Sequence, residues 1–176
     1  MIMETERLII RRFKKNDLKA FYEYAQNPNV GPNAGWKPHE NIKESKKILS
    51  VLRKEKLTWA IILKDSEKFV GSVGLYNDKK RNCDDIKMLG YSIGEEYWGK
   101  GFAVEASRAV LNYAFTELNL NYVSAYHFPE NVRSKRVIEK CGFIFEGVLS
   151  HAYSNYDGTI LDNACYIMSK ENFLKL

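Results

Sequence analysis

The spacing of apolar residues changes along the chain, and these changes predict an α/β fold. Short runs rich in β-branched and apolar residues predict strands, whereas apolar residues three or four positions apart predict helices. We predict strands over residues 7–13, 57–63, 69–76, 86–93, 122–127, 143–153 and 160–169. We predict helices from a cap at Asn16 or Asp17 to Asn27, and over residues 41–54, 101–118 and 131–141. The order β-α-α-β-β-β-α-β-α-β-β indicates one mixed α/β domain spanning residues 1–176.

Cap and turn residues agree with these bounds. Asn131 can cap the last helix, because short polar side chains accept backbone hydrogen bonds at helix N-termini. Gly142 stands where a glycine commonly ends a helix, and Asp157-Gly158 is a turn signal between the last two strands. Residues 30–38 form a loop around Trp36, which we interpret as an apolar plug in preference to a substrate contact. The second helix has a predicted apolar stripe of Ile42, Ile48, Leu49 and Leu52.

The strand over residues 86–93 leads into Tyr97-Trp98-Gly99-Lys100-Gly101-Phe102, directly before the longest predicted helix. A strand, a glycine loop and a helix N-terminus in this order aim several backbone N–H groups and the positive end of the helix dipole at one point. The junction is therefore suited to a phosphate-bearing ligand. Two glycines beside a helix start are also ordinary turn chemistry, so the spacing alone leaves both interpretations open.

Composition narrows the class of protein. A chain of 176 residues with 45% hydrophobic and 28% charged residues is typical of one soluble globular domain. No apolar run reaches the length of a membrane span, and charged residues follow the first three positions, so we expect no membrane segment and no secretory signal. Three widely spaced cysteines fit a reducing compartment, and we therefore expect a cytoplasmic protein.

The formal net charge of +5 raises the hypothesis of a nucleic-acid surface. The basic residues are dispersed in short clusters, which is typical of a solvated surface. A modest positive field would also attract an anionic cofactor. We therefore expect no nucleic-acid partner.

Several kinds of catalytic site lack their sequence motifs. His39, His127 and His151 stand alone without metal-binding spacing, so we expect no metal. There is no G-x-S-x-G motif for a serine nucleophile, and Cys141 lies on the apolar side of its predicted helix. The glycine loop matches neither the Walker A motif nor G-x-G-x-x-G.

Three segments follow one another along the chain: Glu4-Thr5-Glu6-Arg7-Leu8-Ile9-Ile10-Arg11, the stretch from Leu89-Gly90-Tyr91-Ser92-Ile93 through Tyr97-Trp98-Gly99-Lys100-Gly101-Phe102-Ala103-Val104-Glu105-Ala106, and Asn131-Val132-Arg133-Ser134-Lys135-Arg136-Val137-Ile138-Glu139-Lys140-Cys141-Gly142-Phe143. In this order they resemble the GNAT superfamily of N-acetyltransferases, and most closely its ribosomal-protein alanine/serine N-acetyltransferase branch. One such loop would be weak evidence, but three matching segments in order are strong evidence, and the resemblance spans nearly the whole chain.

The resemblance implies a GNAT fold with a mostly antiparallel, twisted sheet of about seven strands and about four helices. Strands 4 and 5, at residues 86–93 and 122–127, would splay apart in a V that holds acetyl-CoA. The implied cofactor-binding residues are Ser92, Ile93, Gly94, Trp98, Gly99, Lys100, Gly101, Phe102, Ala103, Asn131, Ser134 and Lys140. The implied substrate-binding residues are Trp36, Tyr91 and Tyr153.

The chain departs from the wider superfamily at two positions. Trp98 stands where the phosphate loop often has arginine or glutamine, which matters little if the backbone binds the phosphates. Ile138 occupies the position of a tyrosine general acid in many relatives, and an aliphatic side chain cannot protonate a leaving thiolate. Ser134, one turn earlier, resembles the serine proposed for that role in the ribosomal branch. A serine that only contacts the cofactor is the alternative.

The implied reaction is direct attack of a neutral amine on the thioester, with the carbonyl polarised by a backbone N–H near Ile93 or Gly94. Glu95, Glu96, Asp84 and Glu146 are carboxylates near the expected cleft, and none is singled out as the base. The favoured acceptor is a peptide or protein N-terminal amine. One alternative is a small amine such as a polyamine, an aminoglycoside or an amino-acid-like metabolite. Another is a non-catalytic acyl-CoA-binding module, and a homodimer is left open.

Overall fold

A computed structural model describes residues 1–81, 83 and 85–176. Within these residues the chain forms eight strands and five α-helices, which confirms the predicted α/β class with one strand and one helix more than expected. In chain order they are β1 (Ile2–Glu4), β2 (Leu8–Arg11), α1 (Leu18–Ala25), α2 (Ile42–Leu52), β3 (Thr58–Leu63), β4 (Phe69–Asn77), β5 (Ile86–Ile93), α3 (Phe102–Thr116), β6 (Tyr122–His127), α4 (Val132–Lys140), β7 (Ile144–Ser154), β8 (Ile160–Ser169) and α5 (Lys170–Phe173).

The described residues divide into two compact units. The first contains residues 1–74 and 91–109, and the second contains residues 75–90 and 110–176. Strands β4 and β5 and helix α3 each contribute residues to both units.

The first unit contains an antiparallel arrangement of β1, β2, β3 and the first part of β4. Ile2 pairs with Arg11, Leu8 pairs with Leu63, and Thr58 pairs with Gly74. Strand β3 is buried along nearly its whole length, which explains why its sequence is continuously apolar instead of alternating. The pairing of β3 with β4 shifts register between Ile61 and Ile62, next to the pair of Ile61 with Gly71.

Helices α1 and α2 pack together over an apolar cluster in the first unit. The cluster consists of Phe13, Phe21, Tyr24, Ala25, Val30, Leu49, Ala60 and Ile62. Asn41 caps α2, because its side-chain oxygen accepts the N–H groups of Lys43 and Glu44 at 3.0 and 3.1 Å.

Two predictions about these helices are wrong. Ile42 and Ile48 are 45% and 36% exposed, because the buried side of α2 is formed by Ser45 and Leu49. Asp17 precedes α1 but its side chain does not cap the helix. Its carboxylate accepts both terminal nitrogens of Arg11 at 2.8 Å and the backbone N–H of Lys14 at 2.7 Å. A buried carboxylate is satisfied better by this ion pair than by a helix cap alone.

The second unit combines parallel and antiparallel strands. Strand β5 is parallel to β6, with Ile86 opposite Tyr122, and β8 is antiparallel to both β6 and β7. The pairing of β5 with β6 ends at Leu89 and Ala125, although β5 extends to Ile93 and β6 to His127. The V-shaped separation that would hold acetyl-CoA stays a prediction.

The ends of the late elements follow the predicted turn chemistry. Gly142 follows α4 with φ of +89°, and Gly158 lies in the β7–β8 turn with φ of +84°. These are left-handed conformations that glycine adopts without strain. Strand β1 and helix α5 were not predicted, because three and four residues carry too little periodic signal.

Candidate active site

The glycine loop between β5 and α3 contains two glycines in the left-handed backbone conformation. After a single 3-10 turn over Glu95–Tyr97, the chain passes through Gly99 at φ +77° and Gly101 at φ +82°. Gly99, Lys100 and Gly101 are all exposed. A side-chain carbon at Gly99 would meet no atom within 4 Å, so the left-handed conformation and not crowding requires glycine there.

Helix α3 begins directly behind the loop. The N–H of Glu105 donates to the carbonyl of Gly101 at 3.1 Å and closes the first turn. The first N–H groups of a helix have no acceptor inside it and lie at the positive end of the helix dipole. The predicted contacts from Gly99 to Ala103 therefore lie on one segment suited to an anion, and their binding to a cofactor stays a prediction.

Trp98 has a structural role at the entry to the glycine loop. Its indole Nε1 donates to the carbonyl oxygen of Ile93 at 2.8 Å, and its ring packs against the apolar cluster of the first unit. The side chain thus ties the end of β5 to the start of the loop. This contact accounts for a tryptophan at a position where an arginine or glutamine was the family expectation.

The end of β5 is packed closely against β4. The N–H of Gly94 donates to the carbonyl oxygen of Val70 at 2.8 Å. A side-chain carbon at Gly71 would overlap the carbonyl oxygen of Ser92, so glycine is required there for space. Because the N–H of Gly94 is already used, it is not available as one of the two predicted donors to a substrate carbonyl. Successive N–H groups of a strand point to opposite edges, so the N–H of Ile93 points away from β4.

Tyr24 was not singled out in the sequence, yet it lies at the end of β5. Its hydroxyl is in hydrogen-bonding contact with the hydroxyl of Ser92 and lies 3.4 Å from the hydroxyl of Ser72. Its ring packs against Trp36 with a centroid distance of 5.9 Å. Trp36 also packs 5.5 Å from His39, which agrees with its interpretation as an apolar plug. No local motif marks Tyr24, because its contact arises from tertiary packing.

Glu95 connects the loop after α1 to the turn after β5. Its carboxylate accepts the side-chain amide of Asn27 at 2.9 Å and that of Asn29 at 3.0 and 3.1 Å. Asn33 in turn donates to the backbone carbonyl of Asn29 at 2.9 Å. Glu95, one of the carboxylates considered as a base, is therefore a tether in this structure.

In the second unit, α4 carries the predicted residues Asn131 and Ser134. Asn131 caps the helix as predicted, because its side-chain oxygen accepts the N–H of Ser134 at 3.1 Å. The Ser134 side chain is half-buried, one turn before Ile138. Ile138 is fully buried, so its side chain packs in the core and cannot serve as a general acid. Lys140 is exposed near the C-terminal end of the helix.

A buried polar cluster in the second unit was also not predicted. The carboxylate of Asp78 accepts the hydroxyl of Tyr126 at 2.6 Å, the hydroxyl of Ser124 and the backbone N–H of Lys80 at 2.9 Å. Burial and the bond to Asp78 raise the pKa of Tyr126 to about 12. Tyr126 therefore stays a protonated phenol at neutral pH and cannot serve as a base there.

The other residues that the sequence analysis considered as bases or substrate contacts differ in burial and in partners. Glu146 forms an ion pair with Arg81, and Glu96 is exposed, whereas Asp84 lies outside the described residues. The Tyr153 ring packs against Phe128 at 5.3 Å, and Tyr91 is half-buried. Their contact with a substrate stays a prediction.

Among residues 1–81, 83 and 85–176, no three His, Cys, Asp or Glu side chains are grouped so that they could hold a metal ion. In the same part of the chain, no helix has the length and apolarity needed to cross a membrane.

Comparison with known proteins gives consistent matches. The model of the acetyltransferase (GNAT) domain matches residues 7–144. The uncharacterized N-acetyltransferase YoaA of Bacillus subtilis is 32% identical over 176 residues, covering 96% of this chain and 97% of that protein. The structure of a GNAT-family acetyltransferase from Bacillus anthracis matches with a TM-score of 0.87 and 26% identity, over 97% of this chain and 99% of that one.

Two further solved structures share the fold and are named for different acceptors. The ribosomal-protein-S5-alanine acetyltransferase of Vibrio fischeri matches with a TM-score of 0.78 and 23% identity, over 98% of each chain. The spermidine N-acetyltransferase of Vibrio cholerae, in complex with CoA and spermine, matches with the same TM-score and identity, over 97% of this chain and 99% of that one.

Proposed function

The chain belongs to the GNAT family of acetyltransferases, and on that basis we propose that it transfers the acetyl group of acetyl-CoA to the N-terminal amine of a peptide or protein. Transfer from acetyl-CoA to an amine is the activity of the family. Membership of the family does not specify the acceptor, because the fold is shared by an enzyme named for a ribosomal protein and by one named for spermidine.

The glycine loop fits the pyrophosphate of coenzyme A. Gly99 and Gly101 keep the backbone exposed and free of a Cβ, and the N-terminus of α3 adds a positive partial charge behind them. We assign the pyrophosphate to residues 99–103, the pantetheine to the end of β5 at Ser92–Gly94, and further contacts to Asn131. When bound, acetyl-CoA supplies an acyl thioester.

The chain's own groups supply orientation and proton transfer. Of the two backbone donors considered, we favour the N–H of Ile93 for polarising the carbonyl, because the N–H of Gly94 is held by Val70. Positioning of the amine against the carbonyl can account for much of the rate. As the C–N bond forms and the C–S bond breaks, the amine loses one proton and the leaving thiolate gains one. Ser134 is the proposed donor to the thiolate, and the proton released by the amine replaces the one that Ser134 gives up.

The observation that favours a polypeptide acceptor is the exposed apolar surface of the last hairpin. Six large side chains are each 47–54% exposed: Ile144, Phe145, Val148, Leu149, Tyr156 and Ile160. Adjacent residues of a strand face opposite sides, so both faces of β7 present apolar groups. Apolar surface of this extent is typical of a protein-binding region and is not needed for a small polar amine.

The acceptor is tested with a panel of amines. We expect an unblocked peptide to have a kcat/KM at least about tenfold above that of the same peptide with a blocked N-terminus and an internal lysine, and above that of spermidine. Val148→Asp should raise the peptide KM about tenfold, because it places a charge in the proposed peptide surface. Its matched control is Val51→Asp on α2, where the valine is 56% exposed in the first unit.

Equal use of the blocked peptide, or a preference for spermidine, would contradict the polypeptide acceptor while leaving acetyl transfer in place. Sedimentation of the wild-type protein is the accompanying control. A dimer that is broken by Val148→Asp would show that a second copy of the chain covers the hairpin.

A polyamine is the second candidate acceptor, and a groove in the first unit favours it. The groove has a volume of about 1070 Å³, and Tyr24, Phe69 and Val70 are among its apolar lining residues. Five acidic and three basic side chains also line it, in a chain whose net charge is +5. These are Asp17, Glu23, Glu67, Glu95 and Glu96, and Arg11, Lys14 and Lys68. A local excess of negative charge suits a cationic aliphatic amine.

Replacement of Ser134 tests the proposed proton donor. We expect Ser134→Ala to lower kcat about a hundredfold and to leave the Kd of coenzyme A within about twofold, because general acid catalysis contributes mainly to the chemical step. Ser50→Ala, at an exposed serine on α2, is the matched control. If Ser134→Ala weakens coenzyme A binding and leaves kcat unchanged, Ser134 is a cofactor contact only.

A further inference from the structure

Glu105, in the first turn of α3, is surrounded by donors from the N-terminal segment of the chain. Its carboxylate accepts the hydroxyl of Thr5 at 2.6 Å, the backbone N–H of Arg7 at 2.9 Å and Nε of Arg7 at 2.7 Å. The Nη2 atom of Arg7 lies 2.6 Å from the same carboxylate. The Glu105 side chain is only 17% exposed, so these are partly buried, charge-assisted hydrogen bonds.

The same arginine also contacts the glycine loop. Nη1 of Arg7 donates to the carbonyl oxygen of Lys100 at 3.0 Å. Its guanidinium carbon lies 4.6 Å from the centre of the Phe102 ring, and Nη2 would be 3.4 Å from a side-chain carbon at Gly101. Arg7 therefore contacts the loop on the side where α3 begins, whereas Trp98 ties its other end to β5.

The charge of Glu105 has opposite effects on the helix and on an anionic ligand. A carboxylate in the first turn is favourable for the helix dipole. Burial raises the pKa of Glu105, but hydrogen bonds from Thr5 and Arg7 outweigh burial and lower it overall, so the carboxylate is ionised at neutral pH. An ionised carboxylate beside a phosphate site repels the phosphates unless a cation offsets it.

We propose that Arg7 is a positioning residue of the phosphate loop, which holds Lys100 and Gly101 in the binding conformation and offsets the charge of Glu105. The inference rests on the proposed placement of the coenzyme A pyrophosphate on residues 99–103. Through Arg7, the N-terminal segment would thus support the loop, whereas the backbone of the loop itself would contact the phosphates.

A double-mutant cycle with coenzyme A as the probe tests the proposal. We expect Arg7→Met to raise the Kd at least about tenfold, because it frees the loop carbonyl and leaves Glu105 uncompensated. Glu105→Gln should change the Kd less than about threefold, because it removes the repulsive charge together with the ion pair to Arg7. The double variant should bind more tightly than Arg7→Met alone, which a purely structural ion pair would not produce.

A cofactor analogue without phosphates separates loop positioning from other effects. With acetyl-pantetheine, the loss of kcat/KM caused by Arg7→Met should be at least about fivefold smaller than with acetyl-CoA. Arg7→Lys, which keeps the charge but not the forked geometry, should fall between wild type and Arg7→Met. Arg12→Met removes another arginine that donates to a backbone carbonyl, that of Arg53 at 2.8 Å, and should leave the Kd unchanged.

Three results would overturn the inference: an unchanged Kd in Arg7→Met, equal losses with both acetyl donors, or a double variant no better than Arg7→Met. Thermal unfolding of each ligand-free variant shows whether it is folded at the assay temperature. Failure of the wild-type protein to bind coenzyme A would instead overturn the proposed function.

Discussion

Replacing Gly101 by glutamate is expected to abolish coenzyme A binding. A residue with a Cβ at φ +82° costs about 1–2 kcal/mol, so the loop conformation itself is disfavoured. The new carboxylate would also stand at the N-terminus of α3, where the pyrophosphate is proposed to lie. Together these effects should raise the Kd at least about a hundredfold in isothermal titration calorimetry.

Gly158→Glu is the control for backbone strain and charge. Gly158 has nearly the same angle, φ +84°, and a side-chain carbon there would meet no atom within 4 Å. It lies in the turn between β7 and β8, so its substitution should leave the Kd of coenzyme A unchanged. Binding that survives Gly101→Glu within about threefold would show that the phosphates lie elsewhere.

The largest loss of stability is expected from Asp17→Ala. Asp17 and Arg11 have side chains that are 7% and 15% exposed, and both Arg11 terminal nitrogens are bonded to the carboxylate. Removal of Asp17 leaves the guanidinium and the Lys14 N–H without this acceptor in a largely buried place. The free energy of unfolding should fall by about 3 kcal/mol, which is the lower end of the cost of removing one partner of a buried ion pair.

Urea unfolding followed by circular dichroism measures this loss as a lower midpoint with an unchanged slope. Glu40→Ala is the control, because Lys37 and Glu40 also form an ion pair but on the exposed surface. It should not shift the midpoint measurably. An equally small shift for Asp17→Ala would mean that the Arg11 pair contributes no more than a surface pair.

The elements that could be predicted closely are those whose signals are local. Strands β5 and β6 have the predicted bounds, residues 86–93 and 122–127, because each is an apolar run ended by turn-forming residues. Gly142 and the Asp157-Gly158 turn were found because a left-handed backbone requires specific residue types. The glycine loop could be predicted for the same reason.

The contacts that could not be predicted join residues far apart in the chain. Arg7 and Glu105 are 98 positions apart, and Tyr24 and Ser92 are 68 positions apart. Arg7, Ser92 and Glu105 stand in the segments that resemble the family, but no local spacing indicates which residue each of them contacts. Ile42 and Ile48 show the opposite case, since helical spacing predicted their burial but packing placed Ser45 on the inner side of α2.

The tether at Glu95 has a thermodynamic consequence for ligand binding at the two segments that it joins. Asn27 and Asn29 share one carboxylate with the turn that precedes the glycine loop, so the two segments lose conformational entropy together. A ligand that immobilises one segment lowers the entropic cost of binding at the other, and this cooperativity is equal in both directions. With coenzyme A at the glycine loop, as proposed, this coupling predicts that coenzyme A and a ligand held beside residues 27–29 each strengthen the binding of the other.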